Sequence, residues 1–129
     1  MVGILILSHS NLIAKGLLEV CKQMARDVDI RAVGGVDEGK KLGLDVNQAL
    51  LTLELMLKKN SKVVIYADIG STVLGAKNVI SLCSSPKNVY LADAPLVEGA
   101  IVGSVESMMG SSVEKILDES RKSCFMSKK

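Results

Sequence analysis

Residues 4–16 read ILILSHSNLIAKG, and the fold turns on where one periodicity in this stretch gives way to another. Ile4 to Leu7 is an unbroken apolar run, the pattern of a strand covered on both faces. From Asn11 the apolar residues take spacings of three and four, so Leu12, Ile13, Leu17, Val20, Cys21 and Met24 read as one stripe of a helix. Between the two stands Ser-His-Ser, and His9 is the only histidine in 129 residues. A buried strand that passes into an amphipathic helix through three polar residues is the opening half of a βαβ unit.

The same switch recurs along the chain. Apolar, β-branched runs at Ile30–Gly34, Lys62–Ala67 and Val89–Ala92 join Val2–Ser8 as strands. Val46, Ala49, Leu50, Leu53, Met56 and Leu57 form a second helical stripe. A third helix is expected from about Thr72 to Leu82, with Gly70 permitting the turn into it and Ser71 as its cap. Pro95 suits the first turn of a fourth helix that reaches Met109, where Gly110 can end it. In "SSVE", Ser111 and Glu114 have capping-box spacing for a fifth. Strands alternating with helices predict an α/β fold: a three-layer sandwich with a mainly parallel sheet, strand order 2-1-3-4, and helices on both faces.

The helix at Leu96–Met109 carries Gly99 and Gly103, each costing about 1 kcal/mol of helix propensity relative to alanine. Close packing must offset that, either on the helix's own sheet or at a subunit interface. This helix is therefore the candidate dimer face.

At 48% hydrophobic and 23% charged, the chain fits one domain over residues 1–129, with the basic tail after about residue 120 expected to fray. A net charge of +2, two tyrosines and one phenylalanine argue against nucleic acid as a partner. Apolar runs are broken well before bilayer length, and Met1–Leu7 lacks the charged region and cleavage site of a signal peptide. A cytoplasmic protein with no membrane contact is expected. Cys21, Cys83 and Cys124 form an odd set without CxxC spacing, against both a disulfide framework and structural zinc. Cys21 and Cys83 read as small buried hydrophobes. No metal and no cofactor is expected.

Polar residues collect after each strand, in "SHSN", "GGVDEG", "DIGST" and "DAPLVEG". With order 2-1-3-4, the ligand crevice lies at the carboxyl ends of strands one and three, which brings His9 to Asp68. A carboxylate that accepts one imidazole N–H fixes the tautomer and leaves the other nitrogen as a nucleophile. That pair suits a histidine phosphoacceptor or a general base, although a lone histidine is also commonly an ordinary surface residue. Ser8 and Ser10 do not make a hydrolase dyad with His9, because neighbouring side chains of an extended strand point to opposite faces. Ser10 and Asn11, and likewise Ser71 and Thr72, sit at helix starts whose free N–H groups favour an anion. The Gly34–Gly35 turn either borders the pocket or only supplies positive φ. Neither GxGxxG nor GxxxxGK[ST] occurs, so a dinucleotide or P-loop site has no support.

Taken together, "ILILSHS", "VGGV", "YADIGS" and "DAPLVEGA" resemble the phosphotransfer subunits of dihydroxyacetone kinases that depend on the phosphotransferase system (PTS), within the mannose-type enzyme IIA fold. The likeness runs in order from Val2 to about Leu117. It implies a homodimeric phosphotransferase subunit whose His9 accepts a phosphoryl group from phospho-HPr and passes it to ADP on the kinase's nucleotide-binding subunit. It also implies that Asp68 orients the imidazole, with Ser10, Gly35, Gly70, Ser71 and Thr72 around the phosphate. One departure stands out: Leu44 follows Gly43 where the family usually has threonine. With no further PTS domain after the fifth helix, HPr is expected to be a separate protein. The alternatives are a mannose-type sugar-transport enzyme IIA delivering to an enzyme IIB, and a non-catalytic interaction or regulatory module.

Overall fold

Every residue of the first strand, β1 (Val2–Ser8), is buried, as its continuous apolar sequence requires. The computed structural model describes residues 1–129 and places β1 at the centre of a four-stranded, wholly parallel sheet. The other strands are β2 (Ile30–Gly34), β3 (Lys62–Ala67) and β4 (Val89–Leu91), in the order β2-β1-β3-β4. The helices are α1 (Asn11–Met24), α2 (Val46–Lys59), α3 (Gly70–Leu82), α4 (Leu96–Met108) and α5 (Val113–Lys122).

Alternation along β1 builds two cores. Val2, Ile4 and Ile6 join Val64 and Tyr66 of β3 under α1, α4 and α5, where Leu17, Cys21, Ala100 and Ile116 meet them. Leu5 and Leu7 join Val63, Ile65 and Ala67 under α2 and α3, where Ala49, Leu53, Met56, Ala76 and Val79 meet them. Burying a side chain such as Leu53 or Ile116 contributes about 2–3 kcal/mol. Because α1 crosses on one face and α2 on the other, the chain reverses direction across the sheet between β1 and β3. That is the predicted order and the predicted crevice.

Three details correct the expectations. In α1 the buried line is Ala14, Leu17 and Cys21, whereas Leu12, Ile13, Val20 and Met24 are exposed. The small residues let the helix lie close to the sheet, and the larger apolar side chains stand outward. The cap of α3 is Ile69, without a side-chain bond, and Ser71 lies inside the first turn. For α5 the cap is Ser112, whose hydroxyl accepts from Lys115 N, while Ser111 instead donates to Glu106. Beyond residue 120, α5 runs on to Lys122 and Ser123–Phe125 form a 3-10 turn in which Ser123 is buried, while the other residues from 121 to 129 are exposed.

The glycines of α4 have an explanation within the chain. A Cβ at Gly103 would overlap the Tyr66 hydroxyl, and one at Gly99 would approach Ala94 Cβ to 2.8 Å. Both are buried against the chain's own β3 and the loop before α4, so the subunit-interface explanation is not needed for them. Cys21 and Cys83 are buried, as expected.

Candidate functional site

The site follows from register. β1 and β3 pair with Leu7 opposite Ala67, and the next residue on each strand is Ser8 and Asp68. Neighbouring residues at the same height on parallel strands share a face, so the Ser8 hydroxyl meets the Asp68 carboxylate, 2.7 Å from Oδ2. β1 ends at Ser8, the backbone leaves the extended conformation, and His9 turns its ring to the same oxygen. His9 Nδ1 lies 2.6 Å from Asp68 Oδ2, and the His9 backbone N–H reaches that oxygen at 3.2 Å. Oδ1 accepts from Ile69 N at 2.7 Å.

Burial would raise the Asp68 pKa, but hydrogen bonds from Ser8, Ile69 N and His9, with Thr72 nearby, outweigh it and bring the value down to about 2. The carboxylate is thus ionised and can only accept, which obliges Nδ1 to carry the proton. In the neutral imidazole the lone pair is then on Nε2, which has no protein partner. About a quarter of the His9 side chain (27%) remains exposed, against 10% for Asp68, so the reactive edge faces solvent while its anchor does not.

Two helix starts flank the ring. Ser10 caps α1, its hydroxyl accepting from Ile13 N at 3.3 Å, which leaves the amides of Asn11 and Leu12 open. α3 begins two residues after Asp68, and with no side-chain cap the amides of Gly70, Ser71 and Thr72 are all open. The Thr72 hydroxyl is buried without a hydrogen-bond partner. Gly70 and Ser71 are exposed, and a Cβ at Gly70 would meet nothing. This end of the sheet therefore offers an anion five unpaired N–H groups near one nucleophilic nitrogen.

Other expected members stand differently. Gly35 is buried at φ +77°, where a Cβ would press on Gly39 Cα and Lys41 O at 3.1 Å. It borders a separate hollow of about 330 Å³ with Asn11 and Asp45, which does not include His9. Its loop still touches the site, since Gly43 N donates to the His9 carbonyl at 2.7 Å. Leu44 packs on α3, where a Cβ at Gly75 would come within 2.8 Å of its Cδ2. The residue in place of the family threonine thus serves as packing. Asp45 caps α2, accepting from Gln48 N at 3.1 Å. Ser8 is the member that alternation leaves out; the register of β1 with β3 is the signal that finds it.

The class defined by this fold and site is a parallel α/β domain that presents one oriented imidazole at the crevice between its two central strands. The chain belongs to the family described as PTS system fructose IIA component, whose pattern it matches over residues 3–117. It is 35% identical to a PEP-dependent dihydroxyacetone kinase phosphoryl donor subunit, DhaM, of Listeria innocua, covering 92% of this chain and 96% of that one. A DhaM of Providencia stuartii is 33% identical over 94% of this chain, which spans only 26% of that longer protein. Among solved structures, a protein of unknown function is 33% identical with a TM-score of 0.81, covering 93% of this chain and 92% of that one. A PTS component EIIA of Streptococcus agalactiae, 14% identical with a TM-score of 0.72 over 97% and 93% of the chains, shares the fold. No helix is long and apolar enough to cross a membrane.

Proposed function

We propose that this chain is the phosphohistidine carrier of a PTS-dependent dihydroxyacetone kinase. The observation that carries the reading is the 2.6 Å contact from His9 Nδ1 to an ionised Asp68, which frees Nε2 beside the open amides of α1 and α3. In the first step Nε2 attacks the phosphorus of phospho-HPr. A P–N bond forms on His9 as the one on HPr breaks, and the HPr imidazole leaves with its electron pair. In the second step a terminal oxygen of ADP, held on the nucleotide-binding subunit, attacks the same phosphorus; ATP forms and Nε2 recovers its lone pair. The ATP then phosphorylates dihydroxyacetone on a further subunit. Phosphoryl transfer depends on in-line positioning and charge stabilisation, and the open amides together with Ser10, Ser71 and Thr72 are suited to the latter. Support for the pathway comes from the DhaM relatives; support for the chemistry comes from the site.

The test is intact mass at neutral pH after incubation with phosphoenolpyruvate, enzyme I and HPr, with His9→Ala as control. A gain of one acid-labile phosphoryl group that depends on His9 supports the carrier. Discharge on adding ADP and the kinase subunits then assigns the pathway, whereas discharge only to an enzyme IIB would make the chain a sugar-transport component. Phosphorylation without onward transfer would leave a regulatory module, and no gain with a competent HPr would overturn the reading.

A further inference from the structure

We propose that Ser8 is a positioning residue for His9, acting through Asp68. Its hydroxyl is fully buried and has a defined direction. Ser10 N donates to Ser8 Oγ at 3.0 Å, which occupies the oxygen from behind. The hydroxyl proton points forward to Asp68 Oδ2, 2.7 Å away, because an ionised carboxylate can only accept. A chain of directed bonds thus runs from the first residue of the α1 cap, through Ser8 and Asp68, to the imidazole. Ile69 N holds the other carboxylate oxygen. The carboxylate is fixed at both oxygens from two different strand ends, and its plane is set before the imidazole arrives.

This arrangement exceeds what packing needs. Without Ser8, Oδ2 would keep only the long bond from the His9 backbone N–H, 3.2 Å, beside the imidazole itself, and the Cβ–Cγ torsion, broad and roughly two-fold, would be held less firmly. Turning would cost the imidazole its acceptor and let the proton redistribute between Nδ1 and Nε2. Ser8 adds the short, directed bond that keeps Oδ2 turned to the imidazole, which favours Nε2 as the nucleophilic nitrogen. The residue never touches the phosphoryl group, so its effect belongs in the rate of transfer and not in donor binding.

Two measurements on purified full-length protein test this. Nitrogen-15 NMR of the neutral His9 ring reads the tautomer with no partner present. Ser8→Ala should move the two ring-nitrogen shifts toward the mixed tautomer of free histidine, and Ser8→Thr, which keeps the hydroxyl, should restore them. The second measurement is the rate of His9 phosphorylation by phosphoramidate, in which Nε2 displaces ammonia from phosphorus without a protein donor. Ser8→Ala should slow it about tenfold, and should slow an Asp68→Asn background no further. Only this rate rests on the phosphocarrier reading; a chain that takes no phosphoryl group still reports the tautomer, so the two failures are distinct. A wild-type tautomer spectrum in folded Ser8→Ala would overturn the inference, as would equal fractional slowing with and without the Asp68 carboxylate. A lowered melting temperature alone, with the ring shifts unmoved, would reduce Ser8 to packing.

Discussion

Tyr66 and Asp68 lie two residues apart at the end of β3, on the same face, and each meets a serine hydroxyl, yet they are driven in opposite chemical directions. Tyr66 projects under α4 and α5, where its hydroxyl is 2.5 Å from Ser120 Oγ and Gly103 leaves room for it. Ser120 in turn donates to Ile116 O at 2.6 Å. Burial pushes the Tyr66 pKa up to about 12, against a smaller opposing effect of the Ser120 bond. Asp68 lies past the covering helices, where hydrogen bonds from Ser8, Ile69 N and His9 overcome a partial burial and bring it down to about 2. One cluster is closed on itself; the other leaves an imidazole edge and helix amides without partners. Reactivity here depends on what covers a residue, and the same strand provides both outcomes.

The largest effect is expected at His9. His9→Ala should abolish phosphoryl acceptance in the intact-mass assay while the thermal melt stays close to wild type, since the ring is part exposed and contributes little packing. Next comes Asp68→Ala, expected to slow transfer about 100-fold. Donor affinity by titration calorimetry should barely change, because the carboxylate is mostly covered; equal losses in rate and affinity would count against an orienting role. In the closed cluster, Gly103→Ala forces a methyl onto the Tyr66 hydroxyl and should cost about 2 kcal/mol in urea unfolding. The His9 ring-nitrogen shifts should not follow it. Tyr66→Phe should cost about 1 kcal/mol and leave transfer unchanged, because Ser120 keeps its bond to Ile116 O.

Titration of these two groups is the mildest probe. The folded value of Asp68, about 2, lies below its ordinary 3.8, so its contribution to stability is complete above about pH 4 and is lost as pH falls through 2. The folded value of Tyr66, about 12, lies above its ordinary 10.0, so that contribution is complete below pH 10 and is lost as pH rises through 12. Chemical denaturation against pH should show Asp68→Asn flattening only the acid limb and Tyr66→Phe only the alkaline one. A crossed result would dissolve the distinction between the two clusters.

A third region shows why size does not mark the site. The larger hollow, about 540 Å³, lies at the opposite, amino end of the sheet among Glu54, Asn60, Lys62, Ser84 and Asn88. There Glu54 accepts from both Ser84 N and Ser84 Oγ, Asn60 donates to Asp29 and to Met56 O, and Asn88 donates to Ser85. Polar groups already paired with one another have little left for a ligand.

The strands were legible from the residues alone, because a doubly covered parallel strand is apolar at most positions and ends where polarity resumes. Val2–Ser8, Ile30–Gly34 and Lys62–Ala67 stand as read, and Val89–Ala92 is shorter by one residue. The sequence also determined that His9 and Asp68 meet, since a 2-1-3-4 order puts the two strand ends side by side. Tertiary structure alone decided which apolar residues of α1 are covered, because a helical stripe wide enough to include Leu12 and Leu17 does not say which edge faces the sheet. It alone chose Ser112 over Ser111 as a cap, where a one-residue shift in chain direction decides which hydroxyl faces the free amides. And it alone joined Ser8 to the site: alternation separates neighbours only while the backbone is extended, and the strand ends at Ser8 with the chain bending at His9, so both side chains reach Asp68.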